Sequence, residues 1–186
     1  MPRAFVSIEI ADDIRNQLVQ VQEKLGETGA DLKLVEPQNI HLTLRFLGDV
    51  PEERLSKIKN AIRDAKDIAD PFNLHVSGLG VFPNPNYMRV VWAGVSDGSN
   101  PTTALRQKLD KNLAKINLPS DNKEFTPHLT IARVKSGKAK EKLREKLTRM
   151  SAKDFGTCRV DAIELKESKL TSEGPIYSTL EKFELG

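Results

Sequence analysis

The sequence predicts an α+β fold of two pseudo-symmetric lobes, each an antiparallel or mixed β-sheet with helices packed on one face, with a cleft between them. Three observations lead there. Segments of alternating polarity outnumber what simple strand–helix alternation would supply. Adjacent strands in each half are joined by short turns, which suits antiparallel pairing. A single offset of 87 residues, the spacing of His41 and His128, also lays most elements of the first half onto the second, so one bilobal domain with an internal repeat is expected over 1–186.

Residues 5–10 alternate Val6, Ile8 and Ile10 with Phe5, Ser7 and Glu9, the pattern of a half-buried strand. Asp12 and Asp13 offer N-caps, and Ile14, Leu18, Val21 and Leu25 recur at helical spacing before Gly26, predicting a helix over 12–26. Residues 40–47 alternate again up to Gly48, and Pro51 opens a helix carrying Leu55, Ile58, Ala61, Ile62 and Ala65. Two extended runs, 72–82 and 88–95, flank a turn rich in proline and asparagine. A helix is expected near 101–117, a strand over 128–134, a lysine-rich helix near 138–149, and strands over 159–167 and 175–184.

Composition narrows the class. With Cys158 as the one cysteine in 186 residues, neither an internal disulfide nor a cysteine zinc cluster can form, and a reducing, cytoplasmic setting is expected. Charges arrive too early in the first residues for the apolar run of about 7 to 15 that a signal peptide needs, so no export is expected. No stretch of about 18 apolar residues could span a bilayer. Lysine and arginine number 29 against 26 acids, an excess that permits an anionic ligand without demanding one. Residues 10–13, Ile-Ala-Asp-Asp, put acids where a doubly wound nucleotide fold would need glycines.

The chemistry lies in two short strings, His41-Leu42-Thr43-Leu44 and His128-Leu129-Thr130-Ile131. On a strand, His and Thr two apart share a face while the residues between point into the core. Two such faces meeting across a cleft would surround one phosphate with two imidazoles and two hydroxyls. In-line displacement at phosphorus needs one group to take a proton from the attacking oxygen and another to give one to the leaving oxygen. Imidazole can do either near neutrality, and each such group contributes roughly 10²- to 10⁴-fold. The hydroxyls of Thr43 and Thr130 suit the non-bridging oxygens. Residue types alone do not say which histidine is acid and which is base. No third metal ligand accompanies both histidines, so no metal and no cofactor is expected. His75 lacks the threonine and reads as structural, and Cys158 reads as a small core residue.

The strings running 39–48 and 125–133, with the Phe-Val-Ser-Ile opening strand and the Arg-Val-Val-Trp strand at 89–92, closely resemble the paired signatures of the two-histidine phosphoesterase superfamily, and within it the RNA 2′,3′-cyclic phosphodiesterases, also called 2′-5′ RNA ligases. The resemblance covers essentially the whole chain. It implies hydrolysis of RNA 2′,3′-cyclic phosphate ends to 2′-phosphomonoesters, with reverse 2′-5′ ligation as the same chemistry run backwards. It further implies His41 as proton donor and His128 as proton acceptor, RNA ends or oligonucleotides as partners, and a monomer that needs no membrane and no metal. Alternatives are a non-catalytic RNA- or nucleotide-binding module and a phosphoesterase for small cyclic nucleotides or ADP-ribose cyclic phosphate.

Phe125 is a candidate for stacking on a terminal base or for the core. Arg133 stands where the family has an arginine, yet strict alternation sets it opposite His128, so a phosphate contact there requires a bulge or a strand end. Arg45 shares His41's parity and reads either as a ligand contact or as structural. The basic run 135–146 reads as an RNA guide or as a solvated helix face.

Overall fold

The computed structural model describes residues 2–120 and 122–186. In chain order it contains β1 (Arg3–Ile8), α1 (Asp12–Gly26), β2 (Leu32–Leu34), a 3-10 turn (Pro37–Asn39), β3 (Leu42–Asp49), α2 (Glu52–Lys66), β4 (Phe72–Asn84), β5 (Tyr87–Val95), α3 (Ser99–Ala114), β6 (His128–Val134), α4 (Lys140–Arg149), β7 (Asp154–Val160), β8 (Ala162–Thr171) and β9 (Gly174–Glu184). The class is α+β, as the alternation predicts.

All pairings are antiparallel, and the strands follow the order β7-β4-β5-β6-β3-β1-β8-β9, with β2 added along β6. The two four-stranded halves of that order meet at one bridge, Leu42 to Leu129, between two fully buried leucines. These leucines directly follow the two histidines. An antiparallel register centred on them runs residue 41 toward 130 and 43 toward 128, on the face opposite the leucines. One hydrophobic pair at the seam therefore sets both His-x-Thr strings side by side.

The other face is the core. Ile14, Leu18, Val21 and Leu25 of α1 are all completely buried, as their spacing requires. Val6, Ile8, Leu42, Leu44, Leu129 and Ile131 meet the helices from the strands. Helices α1 and α4 touch each other, with α1 also against β6 and β7; α2 and α3 pack together, over β9 and β3 respectively.

Two bulges decide what faces the cleft. Along β1, Val6 pairs with Arg45 and Ser7 with Thr43, which leaves Leu44 unpaired; along β5, Val91 pairs with Ala132 and Trp92 with Thr130, which leaves Ile131 unpaired. Each spare carbonyl is satisfied from a helix: Arg106 of α3 donates to Leu44 O at 2.8 Å, and Gln22 of α1 donates to Ile131 O at 2.8 Å, where the Val35 amide also donates at 3.0 Å.

Differences from the sequence expectation are local. The strand expected over 159–167 is two strands, β7 and β8, turning at Asp161 without the glycine or proline that would advertise a turn. Strand β2 is three residues long, too short to show a period. Asp12 and Asp13 occupy the first turn of α1 and do not cap it; the N-cap position is Ala11.

Candidate active site

One cavity of about 450 Å³ opens on the cleft face, and His41, Thr43, Phe125, His128, Thr130 and Arg133 all line it. Each residue singled out for the site thus reaches a common space, from strands β3 and β6 and the segments just ahead of them.

His128 opens β6. Its Nδ1–H donates to the carbonyl of Thr126 at 2.6 Å, because a carbonyl can only accept. That bond commits the neutral ring to the tautomer whose lone pair is on Nε2. The ring packs edge-on to Phe82 at 5.0 Å between centroids and lies 6.2 Å from Trp92. Trp92 is held closely in turn: a Cβ on Gly80, its partner on β4, would come within 2.2 Å of the indole. Burial lowers the His128 pKa; the Thr126 carbonyl opposes the shift and the Arg133 charge adds to it.

His41 lies 2.9 Å from the Thr43 hydroxyl through Nε2, stacks on Phe5 at 5.0 Å and meets the edge of Tyr177 at 5.5 Å. Its pKa is lowered to about 4, first by burial and then by the charges of Lys166 and Arg15, with the Asn39 backbone opposing. His41 Nδ1 is buried without a hydrogen-bond partner among the described residues. Behind it, Lys166 and Arg15 converge on Glu9, and Lys166 also lies 3.6 Å from Glu164. An empty site therefore holds His41 neutral at pH 7, and an anion beside the ring would favour its charged form. Binding of a phosphate is accordingly expected to take up a proton. By NMR, the His41 ring of the free protein is expected to stay neutral until about pH 4 and to titrate at higher pH with a 2′-nucleotide bound, and nucleotide affinity is expected to rise as pH falls from 7 toward 5.

The bulges turn the two arginines in opposite ways. The extra residue at Ile131 restores Arg133 to the face of His128 and Thr130, which removes the objection from parity. The extra residue at Leu44 turns Arg45 away from the face of His41. Although Arg45 still borders the cavity, it is buried toward α3, with Nε 3.3 Å from Asp110 and a further bond to the Pro119 carbonyl. Phe46 takes the cleft position instead, 67% exposed and at the mouth of the cavity.

Phe125 also lines the cavity, yet one side of its ring carries the Arg106 guanidinium at 5.1 Å and the ring packs on the core. Two participants escape sequence reasoning. Tyr177 arrives from β9, and only the tertiary structure brings it to His41. Phe46 does carry a signal, since residues 46 and 133 are 87 apart, but that signal is readable only once both bulges are known. His75 lies elsewhere, bonded to Thr157 at 2.6 Å and 3.2 Å from Asp154, consistent with a structural residue. Cys158 is buried, and burial raises its pKa, in keeping with a small core residue. Among the described residues no group of three or more His, Cys, Asp or Glu is placed to hold a metal ion, and no helix is long and apolar enough to cross a membrane.

Comparison with known proteins finds relatives along the whole chain. The RNA 2′,3′-cyclic phosphodiesterase of Methanothermobacter thermautotrophicus is 40% identical over 185 residues, 98% of either chain. The enzyme of the same name from Aquifex aeolicus is 38% identical over 189 residues, covering 99% of this chain and 97% of that one. The crystal structure of TT0787 of Thermus thermophilus superposes with a TM-score of 0.82 at 29% identity, over 98% of this chain and 97% of the other. The family described as LigT-like phosphoesterase matches twice, over residues 8–92 and 94–177, and each stretch holds one of the two cleft histidines. A chain matched along nearly its whole length, with both imidazoles in place, belongs to the LigT-like phosphoesterases.

Proposed function

We propose that this protein hydrolyses the 2′,3′-cyclic phosphate at the end of an RNA to a 2′-phosphomonoester. One observation carries the reading: both His-x-Thr pairs line a single solvent-open cavity large enough for a nucleotide end. Water attacks phosphorus as the P–O3′ bond breaks. His128 suits the base, because the Thr126 carbonyl holds its proton on Nδ1 and leaves the Nε2 lone pair to accept one from water. His41, protonated as the phosphate binds, gives its proton to the departing 3′ oxygen. The Thr43 and Thr130 hydroxyls donate to the non-bridging oxygens, and Arg133 offsets their charge. With a 5′-hydroxyl in place of water, the same attack on the cyclic phosphate, with the same base and the same acid, would give a 2′-5′ phosphodiester; the proton roles would exchange only in the cleavage of that bond by the 3′-hydroxyl.

No metal enters this scheme, since each proton has a named carrier. A monomer belongs to the same reading, and a single buried cysteine suits a cytoplasmic setting. The 87-residue spacing of Leu42 and Leu129 at the seam, with equivalent bulges at Leu44 and Ile131, supports reading the chain as one bilobal domain built from a repeat.

For the terminal base, Phe46 offers a freer ring than Phe125. Its replacement by alanine is expected to cost about 1 to 3 kcal/mol of nucleotide binding, or roughly 5- to 150-fold in affinity, with tryptophan restoring it; equal affinity of the alanine variant for a 2′-nucleotide would remove Phe46 from the site. The decisive assay for the reaction is incubation of an oligonucleotide ending in 2′,3′-cyclic phosphate with the protein and excess chelator. Conversion to the 2′-phosphate is the expected outcome, and an unchanged cyclic end is the contrary one.

A further inference from the structure

Beyond the cleft, a second recess of about 250 Å³ lies where the ends of β5 and β6 meet the start of α4. Met88, Val134 and Leu143 line it with apolar surface, and Tyr87, 59% exposed, borders it. Four cations stand around it: Arg89, Lys135, Lys138 and Lys140. Among the described residues no acidic one lines it. Further along α4, Arg144 pairs with Glu141, Lys146 with Glu27 and Arg149 with Glu145, while Lys142 has no carboxylate partner among the described residues. None of the four has a carboxylate partner among the described residues; Arg89 instead donates to the Tyr87 hydroxyl at 3.2 Å and lies 5.7 Å over that ring. Like charges gathered without counter-charges repel one another, and an anion relieves that repulsion.

The recess also adjoins the cleft. Val90 pairs with Arg133, and both line the catalytic cavity; the next residues outward, Arg89 and Val134, line the recess on the other side of the sheet. Lys135 sits at the strand end between them. A polyanion whose end lies at the histidines would meet the recess on passing over that strand end.

We propose that this recess holds a nucleotide of the RNA strand upstream of the cyclic end, with its base against Tyr87 and its phosphates among Lys135, Lys138, Lys140 and Arg89. The inference rests on the phosphodiesterase reading and deepens it, because it makes an oligonucleotide, and not a mononucleotide, the preferred substrate. A solvated basic helix face would not separate the two.

The test compares the wild-type protein with the triple variant Lys135→Glu, Lys138→Glu, Lys140→Glu and with Tyr87→Ala, using a short cyclic-phosphate oligonucleotide and mononucleotide 2′,3′-cyclic AMP. For the oligonucleotide, KM is expected to rise about tenfold or more in the triple variant, and the slope of log affinity against log salt to fall by about two, three contacts at about 0.7 each. For the mononucleotide, kcat and KM stay unchanged in both variants. An unchanged oligonucleotide KM, or equal shifts for both substrates, overturns the proposal. Anisotropy of a labelled oligonucleotide ending in 2′-phosphate gives the same comparison without turnover: weaker binding by the variants supports the recess and equal binding refutes it, even if the wild-type protein hydrolyses neither substrate and the phosphodiesterase reading falls. Thermal melting establishes that each variant is folded, and a Lys→Gln set at the same positions serves if charge reversal prevents folding.

Discussion

Replacing His41 or His128 with alanine is expected to lower kcat on a cyclic-phosphate oligonucleotide by about 10²- to 10⁴-fold each, while the affinity for a 2′-nucleotide product changes little. The magnitude follows from removing one proton carrier and leaving the other, together with Thr43, Thr130 and Arg133, in place around the phosphate. The double variant should fall little further than the worse single one, because two groups acting in one displacement are not additive. Both rings pack on aromatic neighbours, His41 on Phe5 and His128 on Phe82, so thermal melting must accompany the kinetics. Retention of wild-type turnover by either variant would remove that histidine from the chemistry.

Arg133→Ala is expected to reduce kcat/KM by about 10²-fold or more, the scale of losing one positioned donor to the charge that develops on phosphate oxygens. It carries a second signature with a definite sign. The Arg133 cation is among the causes holding the His128 pKa down, so its removal lets that pKa rise. The base must be neutral to accept a proton, so the acid limb of the kcat/KM profile should move to higher pH in the variant. The His41 limb has the opposite requirement, since the acid must be charged, and a free-protein pKa of about 4 means that only a minor fraction is correctly protonated at pH 7 before substrate binds. Arg133→Lys should keep most of the shift in His128 and lose much of the rate, because lysine retains the charge without the planar fork. An acid limb that does not move in Arg133→Ala would place the guanidinium away from His128.

Much of this was legible from alternation and spacing. The two His-x-Thr faces, the stripe Ile14, Leu18, Val21 and Leu25, and the 87-residue offset between His41 and His128 are local patterns, because a strand repeats every two residues and a helix every 3.6. Arg45 and Arg133 defeated the same logic. Parity is a property of an unbroken strand, and a bulge costs nothing visible in composition; it is permitted by a distant donor, Arg106 for Leu44 and Gln22 for Ile131, that satisfies the spare carbonyl. The split of β7 from β8 at Asp161 was hidden for a related reason, the absence of turn chemistry at a corner held by neighbouring strands.

From sequence alone came the reagents, two imidazoles and two hydroxyls on core-backed strands, and the kind of reaction they suit, since these depend on residue type and on a period of two. Only the tertiary structure decided that Leu42 and Leu129 pair at the seam, that Arg133 and Phe46 face the cleft while Arg45 turns toward α3, and that Tyr177 closes on His41. Those outcomes depend on contacts between residues far apart along the chain, and no local pattern encodes which distant strand will supply the register.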